Sequence, residues 1–323
     1  MTIRKIPEMK PEFKQRMQEL LPEKEFEEYK KILKQLPVKS IRCNLLKITP
    51  ENLKEQLEKN YRWEISQPWK DYPEVMIVEG NLQPGELGRA LEHLLGYYYI
   101  QELASMLPII ALKPNPSERI LDLCAAPGSK TTQIASEMKN TGTIIANEPN
   151  LGRIKILASN LERCGVTNTI LTRSDGIKLC RKFKEEGIKF DKILVDAPCS
   201  GEGTLRSSPK TYFMWNPRTI KSLSKLQKKL FSSAFEILKT EGEIIYSTCT
   251  HAPEENEAIV DWALEEFKER IEIQKIVLPI KAREGVEKWH DKEYRENVKH
   301  SCRIYPQDNN TEGFFVSKFR KVK

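Results

Sequence analysis

The chain has 323 residues, 39% of them hydrophobic and 31% charged, with a net charge of +7. That length and polarity fit a globular protein of two domains, or one large catalytic domain with an appendage, and the positive balance favours a polyanionic partner. The longest apolar stretch, over residues 103–112, is broken by Ser105 and Pro108 and falls short of the roughly 18–20 residues of a membrane span.

The N-terminal segment MTIRKIPEMKPEF has no apolar core and no cleavage site. It is read as mature chain in the reducing cytoplasm, not as a signal peptide. Apolar residues at helical spacing and a terminal proline make residues 1–37 helical. VKSIRCNLL is a strand. TPENLKEQLEKN is a helix opened by Thr49, Pro50 and Glu51, and RWEIS and EVMIVEG are strands. The alternation predicts a small α+β domain over residues 1–110, with leading helices and a helical connection in LGRALEHLLGYYYIQELASMLPIIAL.

From Arg119 the rhythm changes. Strands in RILDLCAA, TIIANEP, NTILTRSDG, FDKILVDAPCSG and GEIIYSTCT alternate with helices in SKTTQIASEMK, LGRIKILASNLERCG and KSLSKLQKKLFSSAFEILKT. A helix beginning at Pro253 follows. The pattern implies right-handed βαβ units and an α/β, mostly parallel, doubly wound sheet over residues 111–323. SCRIYPQDNNTEGFFVSKFRKVK reads as a final antiparallel hairpin.

Ligands of such sheets sit at the carboxyl ends of the strands. The loop after the first strand runs Cys124, Ala125, Ala126, Pro127, Gly128, Ser129, Lys130. It has one glycine where a dinucleotide fingerprint needs three, and its order is not that of a P-loop. Its small residues still let a ligand approach the backbone ahead of a helix N-terminus. Glu148 closes the second strand, where an acid binds both hydroxyls of a ribose. Asp175 closes the third strand and Asp196 the fourth. Singly each is an ordinary turn residue; together they predict an adenosyl cofactor.

Seven cysteines without a CxxC pair argue against structural zinc and against a disulfide framework, and no metal is expected. Most free cysteines are inert. Cys199 and Cys249, however, close the fourth and fifth strands, and neighbouring strand ends lie about 5 Å apart. Two thiols would then flank one pocket. Between residues 204 and 234 there is no Asp or Glu, but Arg206, Lys210, Arg218, Lys221, Lys225, Lys228 and Lys229 lie there among Tyr212, Phe213 and Trp215. That mixture suits phosphate contact with base stacking. For the lysines from 221 to 229, a solvated helix face is the alternative.

LDLCAAPGSKT, ANEP, SDG, DAPCSGEGT and YSTCT followed by PEENE resemble the successive motifs of the Nop/Sun family of RNA cytosine-5 methyltransferases, and the resemblance extends to IRCNLL and EHLLGYYYIQELASMLP upstream. It spans roughly residues 38–320. It implies a Rossmann-like class I methyltransferase sheet with an RNA-recognition domain before it, and methyl transfer from S-adenosylmethionine to C5 of cytosine. It further implies that Cys249 adds to C6 of the base and that Cys199 assists release of the adduct. Asp196 would hydrogen-bond N3, and Lys130 would orient cofactor and base. The loop residues 124–130, Glu148, Arg153, Asp175 and Asp196 would hold S-adenosylmethionine. Arg42, Arg206, Lys210, Trp215 and Arg218 are the expected RNA contacts. His251 is read as a turn residue, with a proton shuttle as the sharper alternative. A monomer acting on tRNA is expected. An rRNA substrate, a non-catalytic assembly factor and a DNA methyltransferase are the rivals, the last without the target-recognition insertion that such enzymes carry.

Overall fold

The computed structural model describes residues 6–80 and 82–323. The leader reading falls partly on residues 1–5, outside the described residues. Helices α1 (Pro11–Leu20) and α2 (Glu23–Leu33) lead to β1 (Ser40–Cys43), α3 (Pro50–Tyr61), β2 (Glu64–Ser66), β3 (Val75–Glu79), the single turns α4 (Glu86–Arg89) and α5 (Leu91–Leu94), and β4 (Tyr98–Ile100). Thr49 caps α3 by accepting from Asn52 N, and Pro50 supplies its first residue. The four strands form an antiparallel sheet in the order β2-β3-β1-β4. The expected helical connection is therefore interrupted by a strand. Tyr98, Tyr99 and Ile100 pair with Cys43, Arg42 and Ile41, and that ladder overrides the local pattern.

The second unit holds α6 (Leu103–Leu112), β5 (Arg119–Asp122), α7 (Ser129–Glu137), β6 (Thr143–Asn147), α8 (Leu151–Cys164), β7 (Thr169–Thr172), α9 (Gly176–Glu185), β8 (Phe190–Asp196), α10 (Lys210–Met214), α11 (Pro217–Glu236), β9 (Leu238–Thr248) and α12 (Glu257–Phe267). It ends with β10 (Ile271–Gln274), β11 (Arg283–Glu284), the ribbon β12 (Lys288–Trp289) and β13 (Lys292–Glu293), β14 (Cys302–Ile304), α13 (Pro306–Asn309) and β15 (Phe314–Lys321). The main sheet runs β11-β14-β15-β9-β8-β5-β6-β7. Its β9-β8-β5-β6-β7 part is parallel, and β15 joins β9 antiparallel. Chain order reverses at β5, the place where doubly wound sheets open a crevice for ligands.

The expected boundary at residue 110 runs through α6. Leu103, Met106, Leu107 and Ile110 of that helix join Ile120, Leu194 and Ile245 of the main sheet in one core. The leading helices also serve the second unit: Phe13, Met17, Phe26 and Tyr29 pack with Tyr212, Trp215 and Tyr305. Helix α12 starts at Glu257, four residues later than expected. Asn256 bonds to Thr250 O and to the Thr248 hydroxyl, which holds residues 253–256 as a turn.

One ion pair ties these late elements together. Arg303 on β14 donates to Glu257 Oε2 at 2.7 Å, to His251 O at 3.1 Å and to the Tyr305 hydroxyl at 3.0 Å, and both charged groups are buried. Removing one partner leaves a buried charge uncompensated. Glu257→Ala is expected to lower unfolding free energy by roughly 3–5 kcal/mol, with the Arg303→Met/Glu257→Ala double variant recovering part of the loss. Urea denaturation of the three proteins measures both.

Candidate active site

The parallel register pairs Asp196 with Ser247 at the carboxyl ends of β8 and β9. The loops that leave these two strands therefore start side by side. Cys199 Sγ stands 3.1 Å from Cys249 Sγ, and the Cys249 amide donates to Cys199 Sγ at 3.3 Å. The hydroxyls of Ser200 and Thr250 meet at 2.7 Å. Close backbone packing fixes the loops from below: a Cβ on Gly203 would lie 2.2 Å from Gly313 O and 2.9 Å from Cys249 O. Only glycine fits there.

Two glutamates follow Cys249, and the fold removes their charge from the thiols by different means. Glu254 takes a bidentate pair from Arg16 on α1, at 2.9 and 2.7 Å, and a bond from Trp289 Nε1 at 3.1 Å. Against the push of burial, this pairing holds its carboxyl below the usual range. Glu255 lies inside, accepting from Ser200 N at 3.1 Å and Gln227 Nε2 at 2.8 Å. Burial pushes it up to about 7. Cys199 is pushed well above an ordinary thiol by its hydrogen bond with Cys249 and by burial. Cys199 therefore favours its protonated form.

Asp196 accepts from Ser247 Oγ at 2.7 Å and pairs with Lys130 Nζ at 2.8 Å. Lys130, near the start of α7, also donates to Ser105 Oγ at 3.0 Å and lies 5.3 Å from the centre of the Phe314 ring. These groups line a cavity of about 260 Å³ with Cys249, Glu102 and Glu312. Glu102, Ser105, Glu312 and Phe314 carried no signal in the sequence, because the cavity joins them from α6 and the start of β15. His251 is buried, stacked on Tyr305 at 5.0 Å, and burial with the nearby Arg303 pushes it down to about 3. It is a neutral packing residue, as the turn reading has it.

The cofactor candidates surround the neighbouring strand ends. Ala125 N donates to Asn147 O at 2.9 Å, and Gly128 turns the loop at φ +104°. Glu148 is buried and pairs with Arg153 at 3.0 Å; Arg153 also donates to Ala126 O at 2.6 Å. It thus braces both the acid and the loop. Asp175 caps α9 by accepting from Lys178 N at 3.0 Å. Ser129 offers its carbonyl to Arg42, and the Cys124 thiol is raised by burial and by nearby carboxylates. Asp122, not singled out in the sequence, is buried and accepts from Thr131 Oγ1 at 2.7 Å, with the Cys124 amide as a second donor. The small-residue loop ahead of α7, with acids at the ends of β6 and β7, suits the ribose of S-adenosylmethionine.

Three expected RNA contacts are corrected. Arg42 is 3% exposed and spends its guanidinium on Gln101, Ser129 O and Thr132. Arg206 is 1% exposed and bonds Thr311 O, Leu36 O and Asn310. Trp215 is 4% exposed and donates to Glu202 at 2.7 Å. All three are structural. Lys210 and Arg218 are exposed, beside Phe213 and Met214 at 70% and 73% exposure.

Two family models match the chain: "16S rRNA methyltransferase RsmB/F" over residues 109–320 and "N-terminal domain of 16S rRNA methyltransferase RsmF" over residues 9–103. A tRNA (cytosine(49)-C(5))-methyltransferase of Pyrococcus abyssi is 40% identical over 88% of each chain. A ribosomal RNA small subunit methyltransferase F of Aliivibrio salmonicida is 42% identical over 88% of this chain and 58% of its own; the chain spans somewhat over half the length of these bacterial relatives. A methyltransferase homologue from Pyrococcus horikoshii superposes with a TM-score of 0.82 at 33% identity, covering 96% and 94% of the two chains. NSun6 from the same organism, solved with SFG, gives a TM-score of 0.83 at 26% identity over 97% and 98%. No helix of the described residues is long and apolar enough to cross a membrane.

The raised Glu255 has a consequence for stability. It binds its proton more tightly folded than unfolded, so its contribution is full below about 4.5 and is lost as pH rises towards 7. At about 1.4 kcal/mol per unit, the loss is on the order of 3 kcal/mol. Denaturation midpoints between pH 4.5 and 7.5 are expected to fall more steeply for the wild type than for Glu255→Gln.

Proposed function

The chain belongs to the RsmB/F methyltransferase family, whose members are S-adenosylmethionine-dependent RNA cytosine-5 methyltransferases, and we propose that it methylates C5 of a cytosine in tRNA through a covalent Cys249 adduct. The observation that carries this reading is the pair of thiols 3.1 Å apart, one of them lining a cavity with the Asp196–Lys130 pair.

C5 of cytosine is a weak nucleophile. Addition of the Cys249 thiolate to C6 turns the ring into an enamine-like species with a reactive C5. The cofactor supplies the electrophilic methyl group. Asp196, held by Ser247 and Lys130, hydrogen-bonds the N3 side of the activated ring. A solvent water then takes the C5 proton, the C5–H electron pair restores the C5=C6 bond, and the C6–S bond breaks with the sulfur leaving as thiolate. The proton kept by Cys199 stabilises that departing sulfur by hydrogen bonding, which gives the two cysteines different roles. Ala125, Ala126, Pro127, Gly128, Glu148 and Asp175 are assigned to the cofactor, with Arg153 bracing Glu148.

The Pyrococcus abyssi relative supports tRNA; the RsmF relatives support small-subunit rRNA as the second reading. Bisulfite sequencing of tRNA and rRNA from cells with and without the gene separates them, and a cytosine lost from rRNA alone would overturn the tRNA reading. Incubated with the identified RNA, Cys199→Ala is expected to accumulate a covalent protein–RNA band on denaturing gels, and Cys249→Ala to give neither band nor product. Full turnover by Cys249→Ala would sink the mechanism.

With Arg42, Arg206 and Trp215 buried, RNA contact is assigned to exposed cations. Lys225, Lys228 and Lys229 of α11 line an open groove with Trp262 and no carboxylate, and Lys228 lies 5.5 Å from the Trp262 ring centre. The Lys225→Ala/Lys228→Ala/Lys229→Ala variant is expected to weaken RNA binding and to reduce the log–log salt slope by about 0.7 per lost phosphate contact. Filter binding across salt concentrations measures it; an unchanged slope would remove the groove from the RNA path.

A further inference from the structure

Three aromatic residues stand together in the stretch without Asp or Glu over residues 204–234: Tyr212, Phe213 and Trp215. The fold divides them. Tyr212 and Trp215 are buried and pack with Phe13 and Tyr29 of the leading helices. Phe213 stays outside that cluster at 70% exposure, with Met214 beside it at 73%. Among the described residues no other Phe, Tyr or Trp is exposed. The backbone fixes this display. Lys10 Nζ donates to Phe213 O at 3.0 Å and to Trp215 O at 2.6 Å, and Trp215 N donates to Thr211 O at 2.9 Å.

The platform joins two features already described. Thr204 and Ser207 line the cavity that holds Cys249. Ser208 N donates to Thr204 O at 2.7 Å and Thr211 N to Ser208 O at 3.0 Å, so the turn that leaves the cavity wall runs without a break into α10. On the other side α11 begins. Its Arg218, Lys221, Lys225 and Lys229 are exposed and recur at three- and four-residue spacing, on one face of the helix. They extend over about 16 Å at 1.5 Å per residue and end in the groove of Lys225, Lys228 and Lys229. An occupant of this strip carries negative charge along its length and a flat apolar face at its head. A single RNA strand has both, phosphates for the cations and base faces for the ring.

We propose that Phe213 is a stacking platform for an unpaired base that flanks the target cytosine, with the α11 cations carrying phosphates of the same strand. The inference rests on the reading that the cavity takes a cytosine of RNA. Phe213 is not among the residues that line the cavity, so the base it stacks is a neighbour of the target and not the target itself. A paired base keeps its faces inside the duplex, whereas an unpaired one can be splayed onto a ring. Every base has a face to offer. The platform therefore selects an open strand beside the target, not a sequence.

The test uses synthetic RNAs centred on the cytosine mapped by bisulfite sequencing, intact or with one abasic sugar placed in turn at each flanking position. Fluorescence anisotropy gives Kd for the wild type, Phe213→Ala, Phe213→Leu and Phe213→Trp. On intact RNA, Phe213→Ala is expected to bind about tenfold more weakly, within the range of a lost base–aromatic stack. Phe213→Leu keeps an apolar side chain without a ring and is expected to lose nearly as much, whereas Phe213→Trp binds like the wild type. The log–log salt slope is expected to stay unchanged, because no phosphate contact is lost. At one flanking position the abasic sugar is expected to weaken the wild type by the same factor and Phe213→Ala hardly at all, the non-additivity of groups in contact. S-adenosylmethionine affinity reports folding; if Phe213→Ala loses it, Phe213→Leu decides. Wild-type affinity in a folded variant, or additive losses at every position, overturns the proposal and leaves the patch to a protein partner. A wild type that neither binds nor methylates the intact RNA overturns the cytosine reading itself, and the platform with it.

Discussion

The parallel pairing of β8 with β9 is the constraint on which the site depends. Its register sets Asp196 beside Ser247, and everything catalytic is counted forward from that pair. Three residues beyond Asp196 comes one thiol, and two beyond Ser247 comes the other. A one-residue slip would turn each strand's side chains to the opposite face and separate the sulfurs. The register is secured on both flanks, since β8 also pairs with β5 and β9 with β15. β15 then carries Phe314 into the cavity and places Glu312 just before it.

Around that frame the charges are arranged by partner more than by number. Of the two glutamates that follow the nucleophile, one is neutralised by an arginine from the first helix and the other is buried deeply enough to hold its proton near neutrality. The same logic applies to the first unit of the chain. Arg42 was expected to reach for phosphate, yet it is the bracket that joins the small sheet to Ser129 and Thr132 at the start of α7, the helix that bears Lys130.

The sequence was most legible where chemistry and backbone position coincide. The parallel strands, the acids at their ends and the two cysteines could be placed because a βαβ chain delivers successive strand ends to one edge. It was least legible where a residue's role depends on a distant partner. Arg42, Arg206 and Trp215 have the composition of an RNA surface, but their partners lie from 13 to 170 positions away and draw them inward. Glu102 and Glu312 carry no sequence signal for the same reason. Tyr98 to Ile100 read as helix because the strand that captures them lies more than fifty residues upstream.

The docking of α1 and α2 onto Trp215 and Tyr305, with Arg16 on Glu254 and Glu25 on Arg283, bears on how the polypeptide emerges during synthesis. Helices α1 and α2 have their apolar faces matched to elements made roughly two hundred residues or more later. The small sheet has a core of its own, but those helices must wait until about three hundred residues have been translated. The main sheet is also incomplete until β15 enters beside β9. Such long-range closure slows folding and leaves apolar surface open in the interval. The nascent chain therefore completes the cavity that holds Cys249 only after β15 arrives beside β9.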